Sequence, residues 1–138
     1  MSISYSAVVL DETTRSNLLG MLGDLIPPGW EIVAHHMTIT MGPIIHLKGK
    51  HDFSESYPVG SAVDLPVTHF GIDEKAAAVK VIPPAAISPK TAFPHVTVAV
   101  NRSGGGKPAH SKTIPQPNFN DISNMGIILK GTVTEIPN

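Results

Sequence analysis

Two short runs carry the residues best suited to chemistry. His36-Met37-Thr38-Ile39 and His95-Val96-Thr97-Val98 share one pattern: a histidine, an apolar residue, a threonine and a second apolar residue. Side chains alternate between the two faces of a β-strand. His36 and Thr38 therefore share one face, with Met37 and Ile39 on the other, and the same holds for His95 and Thr97 against Val96 and Val98. Each strand buries its apolar side and presents an imidazole beside a hydroxyl. With seven histidines in the chain, one such match is unremarkable. Its recurrence in the two clearest strand-like runs marks His36, Thr38, His95 and Thr97 as the candidate site, a matched pair of titratable bases with matched hydroxyl donors. The competing interpretation is two strand histidines satisfied by local hydrogen bonds.

The rest of the chain must position these four residues. Ile3–Leu10 reads as a strand with Ile3, Tyr5, Ala7 and Val9 on one face. Asp11 is placed to cap a helix running to about Leu25, with Leu18, Leu19, Leu22, Leu25 and Ile26 as its apolar stripe and Met21 also in the core. Pro27-Pro28-Gly29 stops it. Trp30–Met41 reads as one strand entering the first motif, which places His35 on the face opposite His36 as a packed or surface residue. Residues 44–58, with His46, Lys48, Lys50 and His51, read as a solvated loop; the alternative is a flap contacting a ligand. Residues 61–72 and 76–82 read as an antiparallel hairpin turning at Asp73-Glu74, with Pro66 at an edge or bulge and His69 structural or on the surface. A Pro-rich loop delivers Phe93-Pro94 to the second motif, Phe93 serving as an anchor rather than a stacking platform. The glycines of residues 101–107 (NRSGGGK) lack the G-x-x-x-x-G-K-[ST] spacing of a P-loop, so they read as a flexible loop bordering the site. Pro108 opens a helical turn whose His110 and Ser111 face solvent or substrate, and residues 125–136 close the chain as a strand.

About six strands and one clear helix, with one motif in each half, predict an α+β fold. Two similar lobes of antiparallel sheet would flank a central groove, within a single domain over residues 1–138. The composition is 41% hydrophobic and 15% charged with a formal net charge of −1, which offers no global positive field for long nucleic acid. There are no cysteines, so disulfides, a thiol nucleophile and Cys-ligated zinc are excluded. That fits a reducing compartment, and a cytoplasmic location is expected. No apolar run approaches membrane-spanning length, no signal peptide is read at the N-terminus, and a monomer without membrane contact is expected.

With paired H-x-T-h motifs in a small bilobal α+β chain, the sequence resembles the 2H phosphoesterase superfamily. The surrounding runs AHHMTI, AVKV (Ala78–Val81), FPHVTVAV and KPAHS (Lys107–Ser111) are similar to the cyclic phosphodiesterase part of fungal and plant tRNA ligases. The resemblance covers most of the chain, from Tyr5 to Val133, and includes no ligase or kinase domain. It implies hydrolysis of a 2′,3′-cyclic phosphate at an RNA end or in a nucleotide, or of cyclic oligonucleotide signals, with no metal and no cofactor. Histidine's ordinary pKa near ~6.5 allows one imidazole to be neutral and its partner protonated near neutral pH. A neutral imidazole would take a proton from water and an imidazolium would give one to the departing ribose oxygen, each worth ~10²–10⁴-fold in rate. Thr38 and Thr97 would hold the nonbridging phosphate oxygens. The pair is pseudosymmetric; with a 2′-phosphate as product, the weaker indications favour His95 as base and His36 as acid. The rivals are a metal site, against which stand the absence of H-E-x-x-H and H-x-H, a nucleotide-binding module without turnover, and a structural protein.

Overall fold

The computed structural model describes residues 2–91 and 93–138. It is an α+β fold with one α-helix and an eight-stranded antiparallel sheet among the described residues. The strands are β1 (Ile3–Leu10), β2 (Glu31–Ile32), β3 (His36–Met41), β4 (Ala62–Ile72), β5 (Ala76–Val81), β6 (His95–Val100), β7 (Phe119–Asp121) and β8 (Ile128–Pro137); α1 spans Glu12–Leu22. The order across the sheet is β2-β6-β5-β4-β8-β1-β3, with β7 beside β4. Outward from the β4–β8 pair, each direction runs through three strands to one that carries a motif: β4-β5-β6 and β8-β1-β3.

One short segment links the two ends of the sheet. β2 and β3 stand at opposite ends of the strand order, yet only Val33, Ala34 and His35 separate them in sequence. The Trp30–Met41 strand expected from the sequence is therefore broken, and the break serves a purpose. Glu31 and Ile32 pair with β6, and the N–H groups of Val33 and Ala34 continue that pairing to the carbonyls of Val98 and Thr97, each at 2.9 Å. Ala34, fully buried, then turns through a left-handed φ of 40°, which costs a non-glycine residue on the order of 1–3 kcal/mol. The His35 carbonyl next accepts from Leu10 N–H on β1 at 2.9 Å, and His36 pairs opposite Val9. One short segment thus stitches the two motif strands together.

α1 forms where the sequence predicts, with the Asp11 carboxylate accepting from Thr14 N–H at 2.8 Å. It ends at Leu22 and tightens into a 3₁₀ turn over Gly23–Leu25. Leu18 and Leu22 are buried, but the tighter turn rotates Leu25 off the stripe, and Leu25 and Met21 are both about half exposed. The core is one cluster in which Met37, Ile39, Val96 and Val98 meet Val8, Leu10, Leu18, Leu22, Leu65, Val79 and Leu129. Burying a side chain of this size is worth about 1.5–3 kcal/mol, so the apolar half of each motif fixes which way the polar half must point. On β1 it is Val8 and Leu10 that enter this core, while Tyr5 and Val9 take the motif face and are only partly buried.

Pro66 is not on an edge strand. It lies in central β4 where pairing passes from β8 (through Pro66↔Ile128) to β5 and β7, a place where a missing N–H interrupts no continuous ladder. The β4–β5 hairpin turns at Asp73, whose carboxylate accepts from the N–H groups of Lys75 and Ala76. The expected turn after the second motif is a 3₁₀ helix over Pro108–Thr113, and β7 follows it before β8. Among the described residues no helix is long and apolar enough to cross a membrane.

Candidate active site

The two motifs have the same local architecture. Across from β3, Val9 opposes His36, Val8 opposes Met37 and Ala7 opposes Thr38; the next pair is Ser6 with Thr40, so Ile39 bulges out of the ladder. Across from β6, Lys80 opposes His95, Val79 opposes Val96 and Ala78 opposes Thr97; the next pair is Ala77 with Ala99, so Val98 bulges. A β-bulge bends its strand and re-aims nearby side chains. Here it lets two successive residues be buried, Ile39 with Thr40 and Val98 with Ala99. Each bulged carbonyl is taken up by another segment at 2.9 Å, Ile39 by Ser88 N–H and Val98 by Val33 N–H. The residue facing each motif threonine is a buried alanine, Ala7 or Ala78. The sequence carried this signal: Ala7-Val8-Val9-Leu10 and Ala78-Val79-Lys80-Val81 are a second matched pair of runs, one for each motif.

His36, Thr38, His95 and Thr97 all line one cavity of about 560 Å³. Its charged and titratable walls are those two histidines with His46, His51, Lys50, Lys90 and Lys112; no aspartate or glutamate lines it. Although the chain as a whole carries a formal charge of −1, this cavity is therefore a place for an anion. Val33, Phe53 and Ala109 add apolar wall.

The ring nitrogens are held differently at the two histidines. His95 donates its Nδ1–H to the Phe93 carbonyl at 2.7 Å, which leaves Nε2 without its proton when the ring is neutral. Phe93 packs against this ring at 4.8 Å between centroids and against Phe119 at 5.7 Å, so it acts as an anchor and does not line the cavity. His36 shares an Nδ1···Nδ1 hydrogen bond of 2.9 Å with His35, and Tyr5 lies 5.0 Å from its ring. His35 is exposed, but the kink at Ala34 takes it out of strand alternation, so its ring meets His36 instead of pointing away from it.

Burial pushes the His36 pKa down to about 4, helped by the charges of His35 and then His95. Burial also lowers that of His95; the Phe93 carbonyl works against this and Lys112 adds to it. The consequence for stability has a definite sign. A histidine whose proton affinity is depressed on folding binds more protons when unfolded. Stability is therefore full above the unfolded pKa of ~6.5 and is expected to fall as pH drops from there towards about 4. Chemical denaturation at a series of pH values checks this, and His36→Asn should flatten the decline.

Thr97 has a partner that the sequence left open. Its hydroxyl lies 2.8 Å from that of Ser111, which is fully buried on the 3₁₀ turn. Donation from Ser111 satisfies the buried hydroxyl, and the Thr97 hydroxyl in turn donates to the Pro108 carbonyl at 3.4 Å, a long bond that a ligand oxygen would replace. His110 caps the same turn by accepting from Lys107 N–H at 2.9 Å and does not line the cavity. His69 bonds Thr68 away from the site, and residues 101–107 also stay off the cavity wall. Residues 44–58, read first as solvated surface, instead contribute His46, Lys50, His51 and Phe53 to the wall. Among the described residues no three His, Asp or Glu side chains are gathered as metal ligands. No family model matches the chain, and no curated protein does.

Proposed function

We propose that this chain is a phosphodiesterase of the 2H type, opening 2′,3′-cyclic phosphates at RNA ends or in nucleotides by acid–base catalysis between His36 and His95. The observation that carries the reading is the duplicated motif architecture: the same register, bulge and facing alanine bring both histidines and both threonines to one cavity with no acidic wall. The strand order on either side of the β4–β8 pair supports the corresponding pseudo-twofold, bilobal fold.

In this reading the phosphodiester lies between β3 and β6, with Thr38 and Thr97 donating to its nonbridging oxygens. Water attacks phosphorus, one imidazole takes the water proton, the bond to one ribose oxygen breaks, and the other imidazole protonates that oxygen. The electrostatics favour His36 as the base and His95 as the acid, the reverse of the direction the sequence favoured. His36 is held strongly neutral. Burial also disfavours the His95 imidazolium, but there the Nδ1–H bond to the Phe93 carbonyl works against it, and a bound negative phosphate would raise its proton affinity further. Phosphorus NMR of a nucleoside 2′,3′-cyclic phosphate incubated with the protein tests the reading: conversion to a monoester is expected. Binding without product would make the cavity a nucleotide-binding module.

His35 is then a positioning residue for the base. His35→Ala is expected to lower kcat about tenfold, near the ~1.4 kcal/mol of one oriented hydrogen bond. Removing its charge also raises the proton affinity of His36. The acid-side limb of the pH–rate profile should therefore move to higher pH, since loss of the His35 ring lessens both its charge and its share of the burial.

A further inference from the structure

We infer that the loop rising from the end of β3, through His46, Lys50 and His51, is a second phosphate subsite, so that the preferred substrate carries at least two phosphates. This rests on the phosphodiesterase reading above and extends it to substrate length.

The loop is built, not slack. Ile45 bridges to Asp52, His46 N–H donates to the His51 carbonyl, and Gly49, at a left-handed φ of 69°, returns its N–H to the His46 carbonyl. The base of the loop is fixed by Phe53 N–H to the Ile44 carbonyl and by Ile44 N–H to the Glu135 carboxylate, both at 3.0 Å. The buried Tyr57 hydroxyl donates to the Ala85 carbonyl, which ties this segment to the one carrying Lys90 across the cavity.

Its ring chemistry suits an anion. His46 Nδ1 accepts the Lys48 N–H at 3.1 Å, so the neutral ring keeps its proton on Nε2, as a donor. His51 donates Nε2–H to the Pro43 carbonyl at 2.8 Å, which sets its ring 5.3 Å from that of His46. Lys50, between them in sequence, lines the cavity and supplies a cation. Asp52, the loop's own carboxylate, is engaged by the N–H and hydroxyl of Ser54 at 2.8 and 2.6 Å and does not line the cavity. Burial, then the neighbouring charges of His51, Lys50 and Lys48, resist protonation of His46, so cationic groups crowd this ring. The scissile phosphate occupies the His36–His95 pair, so the charge this loop lacks is the next phosphate along a nucleotide chain.

The test compares uridine 2′,3′-cyclic phosphate with a uridine dinucleotide ending in the same cyclic phosphate. The dinucleotide is expected to have at least tenfold higher kcat/KM, and Lys50→Ala and His46→Ala should bring that ratio close to one. Inorganic phosphate should inhibit the dinucleotide more than the mononucleotide. Equal kcat/KM in the wild type, a ratio untouched by the variants, or activation of mononucleotide turnover by inorganic phosphate (a separate anion in the loop) would overturn the inference. If neither compound is turned over, the phosphodiesterase reading fails, and the subsite is judged by calorimetry. A nucleoside 3′,5′-bisphosphate must then bind more tightly than the 3′-monophosphate, and lose that margin in Lys50→Ala.

Discussion

Alanine at His36 or at His95 is expected to lower kcat for a nucleoside 2′,3′-cyclic phosphate by about 10²–10⁴-fold, with the fold intact. Both imidazoles stand on the cavity side of their strands, so neither is needed to fill the core that Met37, Ile39, Val96 and Val98 make behind them. In the proposed mechanism His36→Ala deletes the group that accepts the water proton. His95→Ala would delete the proposed proton donor to the leaving oxygen, and a substrate with a good leaving group should recover part of that loss and none of the loss at His36. Single-turnover kinetics on the two substrates check this; equal recovery in both variants would reject the assignment of base and acid. The two substitutions should also combine less than additively, because each alone already disables the concerted transfer.

A large structural effect is expected at Gly131, two strands away from the first motif. This glycine on β8 pairs with Leu10 of β1 and Val63 of β4. A Cβ there would lie 2.5 Å from the Val9 carbonyl oxygen and 2.8 Å from a methyl of Val8. The obstacle is backbone, so β1 must move away for any side chain to fit. Gly131→Val is expected to cost about 1–3 kcal/mol or more, a fall in Tm of roughly 4–15 °C for a chain of this size. Because Val9 is the residue opposite His36, the strain is delivered to the strand that seats the first motif. Calorimetry of Gly131→Val beside Gly126→Val separates the two effects: Gly126 has no atom within 4 Å of such a Cβ, so its cost comes only from a left-handed φ of 67°.

The motif faces, the first helix and its cap, and the β4–β5 hairpin were legible in the sequence because each is a local pattern: alternation, three-and-four spacing, a capping carboxylate, a turn. What the sequence hid was set by how one segment links the two ends of the sheet. Nothing in the alternation of residues 30–41 announces that Ala34 must turn left-handed so that one segment can bond both β6 and β1, and the contact between His35 and His36 follows from that turn. The bulges at Ile39 and Val98 were equally silent, since a bulge is defined by the partner strand. Residues 44–58 look solvated because they are rich in lysine and histidine. Their place on the cavity wall depends on long-range ties, Ile44 to Glu135 and Tyr57 to Ala85, which no local pattern encodes. The repeated Ala-Val run on β1 and β5 was readable, and it would have located both partner strands of the site.

Turnover of a nucleoside 2′,3′-cyclic phosphate by the purified protein in excess EDTA, near neutral pH, tests the central claim most directly. Steady conversion to the monoester, unaffected by the chelator and lost in both His36→Ala and His95→Ala, is the predicted result. Conversion that stops in EDTA and returns with a divalent metal, or that survives both substitutions, would contradict a mechanism resting on these two imidazoles.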